Sequence, residues 1–537
     1  MSTRRRDVLF GLLGAPLAGQ LLGCGPGDEL PEEVAVEGRL RGPNHELGHR
    51  LREDIDPADW DDVPEERVDV AIVGGGAAGL AAGWRLRRQG RPNVRVYEME
   101  DAPGGTARGG QSRVSRYPWG AHYLPVPRRD DRILRSLLTE MGALGEGGEP
   151  AEEVLVREPD ERVFYRGFWY RGLYPFAGAS PEDLAELARF ESLMASYAER
   201  RDEDGKAAFR LPMRECSRDP ELLRLDTYDA ATFLEQNNFR SPRLLWLCDY
   251  ACRDDYGLRL ADASAWALVF YWAARIEPGE EESSDILTWP DGNSALTRHM
   301  ARSLRGRIDS NVLAARVEVL RDSEGEGARL LFLTPSGARR RVRAERVIMA
   351  TPQFITQHLV VGAETPRLEG TAFGPWMVAN LHLSERPGGR GVGLSWDNVI
   401  YDSPSLGYVS ATHQRGREVG PTVWTYYYPL CEGTPSEARQ RLFDANLEEW
   451  QDAIILDLER AHPSLRQHLR KVDVWRWGHG MVQPRVGFLG AGARFDAGTP
   501  SGPIHFAHSD LSGLALFEEA FHHGVRAADE VIARGRG

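Results

Sequence analysis

The stretch Val68-Asp69-Val70-Ala71-Ile72-Val73-Gly74-Gly75-Gly76-Ala77-Ala78-Gly79, continued by Val94-Arg95-Val96-Tyr97-Glu98, decides the fold. A near-continuous apolar run marks a parallel strand buried on both faces, and this one ends in G-x-G-x-x-G. Gly74 permits the tight turn, and Gly76 lets backbone approach a pyrophosphate. Gly79 lets the following helix, about Ala77 to Gln89, pack closely on the strand. The phosphates would sit at that helix's N-terminus, around Ala78, where free N–H groups and the dipole favour anions. Glu98 ends the second strand about where a ribose hydroxyl needs an acceptor. A lone glycine motif means little in a chain with 57 glycines. Here strand, turn, helix, strand and acid arrive in order, against the alternative of a βαβ unit that binds nothing.

Three residues past Glu98, the chain reads Asp101-Ala102-Pro103-Gly104-Gly105-Thr106-Ala107-Arg108. With these residues the sequence resembles the flavin-containing amine oxidase and protoporphyrinogen oxidase superfamily. There a Gly-Gly pair after the ribose acid runs along the FAD diphosphate and ribityl chain, which implies FAD contacts at Gly104, Gly105 and Arg108. Tyr117-Pro118-Trp119-Gly120-Ala121-His122-Tyr123-Leu124-Pro125 is similar to the superfamily's Gly-x-His stretch beside the isoalloxazine. Trp289-Pro290-Asp291-Gly292, Arg307 to Val312 and Ala344 to Pro352 also match its signatures. At the C-terminus, Gly502 to Asp510 and Leu516 to Ala528 resemble the strand and helix whose turn holds the ribityl and pyrimidine side. That match implies cofactor contacts from Ser509, Asp510 and Phe517. The FAD is expected to be noncovalent, because no cysteine lies in this segment and no histidine is in a recognised linkage motif. Gly487 to Gly492 lacks the third glycine of a G-x-G-x-x-G pattern and a following βαβ unit, so one dinucleotide is expected.

The expected fold is α/β plus α+β: a Rossmann-type, glutathione reductase-like FAD-binding domain with an inserted mixed helical and sheet substrate domain. The FAD-binding parts are residues 67–115, 285–365 and 471–537, and the substrate domain comprises 116–284 and 366–470. Residues 131–275 read as mostly helical by spacing. Asp249 to Gly257 concentrates charge beside aromatics, either lining a substrate path or ending a helix with a solvated face.

Residues 1–23 read as a signal. Arg4-Arg5-Arg6 precedes an apolar segment, Val8 to Leu22, too short to span a bilayer. Leu21-Leu22-Gly23-Cys24 resembles a bacterial lipobox, which implies a lipid anchor on Cys24 and a membrane contact. The expectation is twin-arginine export to the periplasmic or outer face, with 24–66 as a tether or strap. A net charge of -14 disfavours nucleic acid, since nothing here could neutralise a run of phosphates. Cys216, Cys248, Cys252 and Cys431 form no metal pattern, and Cys248 and Cys252 read as core residues one helical turn apart.

The resemblance has departures. The only lysines are Lys206 and Lys471, and the superfamily's lysine beside the flavin falls near Val378 and Ala379. Leu516 takes the place of an aromatic, and His508-Ser509 replaces Gly-Glu. Candidate residues around the ring are His122, Trp119, Trp477, His479 and Asp510. Of these, His122, Trp477 and His479 are the catalytic candidates, with a histidine suited to moving a proton near neutral pH. The leading function is hydride transfer from a small organic substrate, at an amine or a C–C bond, to flavin, with reoxidation by O2 or quinone. A lipid-anchored flavoprotein that only binds is the alternative. His45-Glu46-Leu47-Gly48-His49 matches a zinc hydrolase motif, but Gly42-Pro43 and Asp56-Pro57 confine it, and no metal is expected.

Overall fold

The computed structural model describes residues 36–534 apart from 53–54, 92, 157–159, 277–284, 324 and 416–418. The signal at 1–23 and Cys24 lie outside the described residues.

The glycine motif sits where its spacing places it. Strand Glu65–Val73 runs parallel to Val94–Tyr97 and, beyond that, to Ile308–Asp309. On its other side it pairs in parallel with Arg339–Met349, which pairs with Ile504–Phe506. Strands Leu313–Asp322 and Gly325–Leu333 extend this sheet as an antiparallel meander. Alternation divides the first strand between two cores: Val70 and Ile72 face helices Ala77–Arg88 and Phe517–Arg534, whereas Ala71 and Val73 face the meander side with Val347 and Phe506.

The two helices approach closely because Gly524 has no side chain. A Cβ there would come within 2.1 Å of the Ala78 carbonyl oxygen and 2.9 Å of Ala81 Cβ. Gly524→Val is expected to push the C-terminal helix off the glycine-loop helix and to cost at least about 1–3 kcal/mol, the usual range for overpacking. A lowered thermal midpoint of the holoprotein checks this, and an unchanged midpoint would contradict the close contact.

A second sheet of eight strands carries the substrate side. Its order is Leu40–Arg41, Leu469–Gln483, Ala372–Leu383, Thr422–Pro429, Tyr408–Ser410, Asp397–Ile400, Glu161–Tyr165 and Phe168–Arg171. Helices Pro181–Glu199, Ala230–Gln236, Pro242–Tyr256 and Ala265–Ala273 pack beside it around Phe190, Phe209, Trp266 and Phe270. The last of these helices is apolar on all sides and correspondingly buried.

Three details differ from the sequence reading. Segment 131–275 also contributes strands to the substrate sheet, with Trp169 buried and cross-strand pairs outweighing its helical spacing. Strand Leu469–Gln483 lies in the substrate sheet, so the last FAD-side segment starts beyond Gln483 rather than at 471. From residue 36 the segment read as a tether or strap is a strap and not a tether: Leu40–Arg41 pairs with Val474 and Trp475, and the Trp60 indole N–H donates to the Phe332 carbonyl at 3.2 Å. Among the described residues no helix is long and apolar enough to cross a membrane.

Candidate active site

The cradle is built from two glycine segments facing each other. Gly74 adopts φ 103°, a conformation that side chains rarely adopt, and a Cβ there would meet the Ala350 carbonyl at 2.7 Å. The Gly104 N–H donates to the Gly75 carbonyl at 2.8 Å, which pins the second segment to the first. A Cβ on Gly76 would meet nothing nearer than Gly105 Cα at 3.9 Å, so an open trough lies between them. Helix Ala77–Arg88 opens at Gly76 with no side-chain cap and no acid in its first turn. Its leading N–H groups, including that of Ala78, are left for an anion. Glu98 accepts the N–H of Gly75 at 2.6 Å and that of Glu100 at 2.8 Å. Burial raises its carboxyl above the ordinary value, against the pull of those two bonds.

Arg108 lies beside Gly104, paired with Glu100 at 3.2 Å and Asp101 at 2.7 Å and stacked over the Trp475 ring at 4.9 Å. Glu100 also accepts the N–H of Asn44 at 2.8 Å, tying residues before the first strand to the cradle. At the C-terminal side, Ser509 opens a short turn, and buried Asp510 accepts the Gln353 N–H at 2.7 Å through Oδ2. Phe517 starts the last helix and lines a cavity. Gly74, Gly75, Gly76, Gly104 and Gly105 thus form a trough of glycine backbone beside the uncapped N–H groups of helix Ala77–Arg88. Those groups suit a diphosphate.

The Tyr117–Pro125 stretch is held by its carbonyls. Those of Pro118, Trp119, Gly120, His122 and Tyr123 accept from Asn380 (3.0 Å), Trp477 (2.6 Å), Tyr427 (2.9 Å), Thr288 (2.6 Å) and Asn293 (2.8 Å). Asn380, Trp477 and Tyr427 come from the substrate sheet, Thr288 from the short strand Ile286–Thr288, and Asn293 from the turn that opens helix Ser294–Ser303. His122 lines a cavity of about 830 Å³ with Trp376, Val378, Tyr427, Trp477 and Leu516. Its ring lies 4.6 Å from that of Tyr427. The surface that His122 exposes faces this cavity, and burial pushes its imidazole down to about 3. It is therefore neutral near pH 7, which does not favour the proton-moving role expected of it.

A second cavity, of about 1500 Å³, shares His122, Tyr123, Pro125, Asp254, Arg275 and Glu518 with the first. Glu161, Asp254 and Asp397 also line it, from a strand, a helix and a neighbouring strand, beside Tyr250, Tyr271 and Trp396. Glu161 and Asp397 are register partners in parallel strands. Burial raises all three carboxyls, and like charges add to this at Glu161 and Asp254. For Asp397 the value reaches about 7. The cations in the lining are engaged, Arg275 with Asp255 at 2.6 Å and Arg128 with Asp130 at 3.5 Å. The Asp249 to Gly257 run does end a helix at left-handed Gly257, but Tyr250, Arg253 and Asp255 are buried, not solvated.

The structure brings His122 and Trp477 into one cavity and leaves His479 outside both. Gly374 pairs with Met481 and Trp376 with Trp477, a register shift that makes Gly478-His479-Gly480 a bulge. The bulge lays the His479 ring on Phe354, 5.0 Å between centroids, and burial pushes it down to about 4. Trp119 is buried behind Trp475, and its carbonyl rather than its ring supports the cavity wall by accepting from the Trp477 indole. Val378 does line the cavity where the superfamily's lysine was expected, and no lysine lines either cavity among the described residues. His45 and His49 lie on a five-residue helix with ring centroids 5.8 Å apart. Among the described residues no group of three or more potential ligands could hold a metal ion. The cavity acids Glu161 and Asp397 were not marked by any motif, and Glu518, inside the matched Leu516 to Ala528 stretch, was not singled out.

The fold compares with solved flavoenzymes. A putrescine oxidase with putrescine bound matches at TM-score 0.64 and 21% identity, over 88% of this chain and 100% of that one. Cyclohexylamine oxidase from Brevibacterium oxydans matches at 0.62 and 17%, over 88% and 100%. A Baeyer-Villiger monooxygenase from Streptomyces coelicolor is 58% identical over 41 residues, 8% of this chain and only 7% of that curated relative's length. The sequence model for flavin containing amine oxidoreductase matches residues 77–532, from the glycine-loop helix to the C-terminal helix. With that span and this cradle, the chain belongs to the family of flavin-containing amine oxidoreductases, which are FAD-dependent enzymes.

Proposed function

We propose that this protein oxidises the C–N bond of a small amine. The observation that carries the reading is the acidic cavity lined by Glu161, Asp254 and Asp397, which meets the first cavity at His122, Asp254 and Glu518. Clustered buried carboxylates raise one another, and a cation among them relieves that cost. An ammonium group supplies the cation; an uncharged substrate of C–C oxidation leaves the acids uncompensated. The similarity to a putrescine oxidase and a cyclohexylamine oxidase supports the same class.

Bound FAD supplies the acceptor for a hydride and its two electrons. The chain binds and shields. Gly74, Gly76, Ala78 and Gly79 hold the diphosphate on loop and helix N–H groups, and Glu98 accepts from the ribose. Gly104, Gly105 and Arg108 flank the same trough, while Ser509, Asp510 and Phe517 serve the ribityl and pyrimidine side. Neutral His122 with Trp477, Trp376 and Tyr427 orients the substrate carbon and excludes water. In this reading the FAD is noncovalent, and no cysteine lines either cavity among the described residues.

A single nucleotide grip supports O2 or a quinone as the acceptor rather than NAD(P). We include in the proposal twin-arginine export and a lipid anchor on Cys24, which would hold the enzyme at a membrane surface. Anaerobic mixing of the holoenzyme with a panel of amines and with alcohols of the same carbon skeleton is the test. Amines are expected to bleach the flavin and alcohols to leave it oxidised. Bleaching by uncharged compounds alone would overturn the reading, and a flavin that nothing bleaches would favour a binding role.

A further inference from the structure

We infer that Glu518 is the catalytic base that removes a proton from the substrate ammonium, an assignment that rests on the amine reading. Glu518 stands in the first turn of helix Phe517–Arg534, directly after Leu516 and Phe517 of the cavity wall. Glu518 lines both cavities and is one of the residues they share. It is only 6% exposed, and among the described residues its one hydrogen bond comes from its own backbone N–H. A buried carboxylate that opens on a cavity, with only its own N–H and the facing Arg275 to offset its charge, is costly to keep unless it acts there.

The other ionisable groups facing this junction are committed or unsuited. From helix Pro242–Tyr256, Asp255 is fixed by Arg275 at 2.6 Å and takes the Tyr123 hydroxyl at 3.4 Å. Asp254 of the same helix belongs to the carboxylate group with Asp397 and Glu161, which holds the cation in our reading. His122, from the loop before Tyr123–Pro125, is a weak base because burial holds it neutral. Glu519, next on the helix, turns away to the Ser512 hydroxyl at 2.5 Å and the Met213 N–H at 2.6 Å. Arg275 is the cation that faces Glu518 and favours its ionised form.

Burial lifts the Glu518 carboxyl to about 7, with Asp255 and Glu519 adding to the rise and Arg275 opposing it. Half of it is then carboxylate near neutrality, which suits a base working at that pH. In the step, an N–H bond of the ammonium breaks, the proton goes to a Glu518 oxygen, and the electron pair stays on nitrogen. The neutral amine then loses hydride from the adjacent carbon to the FAD, and the nitrogen pair forms the C=N bond of an iminium ion. Water hydrolyses that ion to a carbonyl compound and releases the nitrogen as ammonium, and Glu518 returns its proton to solvent.

The test is Glu518→Gln in the holoenzyme, read by anaerobic stopped-flow reduction with 1,4-diaminobutane and benzylamine across the pH range around neutrality. Wild type is expected to speed up as pH rises through about 7. E518Q is expected to keep its FAD, to slow by about 10²–10⁴-fold, and to lose that inflection. An E518Q enzyme with wild-type rate and inflection overturns the assignment alone. A wild-type flavin that no amine reduces overturns the amine reading and the assignment with it. Should E518Q not fold, Glu518→Asp decides: a displaced inflection supports the base, and an undisplaced one overturns it.

Discussion

Replacing Gly76 by valine is expected to abolish FAD retention in a chain that still folds. Gly76 has φ -73°, which any residue adopts, and a Cβ there has 3.9 Å of clearance, so neither strain nor collision opposes the side chain in the protein itself. The branches of valine fill the trough that the diphosphate needs. Its neighbours give no such separation. Gly74 at φ 103° would be strained, and a Cβ on Gly79 would lie 1.9 Å from the Gly74 carbonyl, so both substitutions damage the fold as well as the site. A loss of at least about 100-fold in FAD affinity, or about 2.7 kcal/mol, is expected for Gly76→Val. Flavin absorbance per protein, beside an unchanged far-ultraviolet circular dichroism spectrum, reads it out. A folded variant with stoichiometric FAD would show that the cradle lies elsewhere.

Asp254→Asn is expected to weaken amine binding and stabilise the protein together. Removing one member of a buried charge pair typically costs about 2–5 kcal/mol, so half-saturation of flavin reduction should rise about 30-fold or more. The stability change has the opposite sign for a definite reason. Burial and the like charges of Asp255 and Asp397 raise the Asp254 carboxyl, so its ionised form costs folding free energy at every pH above its unfolded value. Asparagine removes that cost and keeps the shape. Sites that carry such unfavourable charge commonly trade stability for function. A thermal midpoint that rises while the amine concentration dependence moves upward supports the account. Unchanged half-saturation would remove Asp254 from the ammonium site.

The parts of this molecule that were legible in the sequence are those whose chemistry is local. Gly74, Gly76, Gly79 and Glu98 fall within one βαβ unit, and the turn, helix and strand between them follow from neighbouring residues. Val378 and Leu516, read as departures from the superfamily, indeed line the cavity. Contacts made by topology left no such trace. Glu161 and Asp397 meet because two strands distant in sequence pair in parallel, and no spacing announces that. The Asp249 to Gly257 run ended its helix at Gly257 as its pattern suggested. Whether that face met water depended on Arg275, from beyond the next helix, reaching Asp255. His479 looked like a ring neighbour by its nearness to Trp477. Alternation along a strand would have kept the two together, and the bulge at Gly478 to Gly480 separated them. Five distant donors fix the carbonyls around His122, and burial of its ring lowers the basicity of the imidazole, which its residue type alone does not show.

Product analysis of a single anaerobic turnover tests the central claim most directly. With 1-aminobutane in limiting amount and no oxidant but the bound FAD, each flavin reduced is expected to yield one carbonyl group and one ammonia. Reduced flavin accompanied by a desaturated product with its nitrogen still attached would contradict amine oxidation and assign the chemistry to a C–C bond.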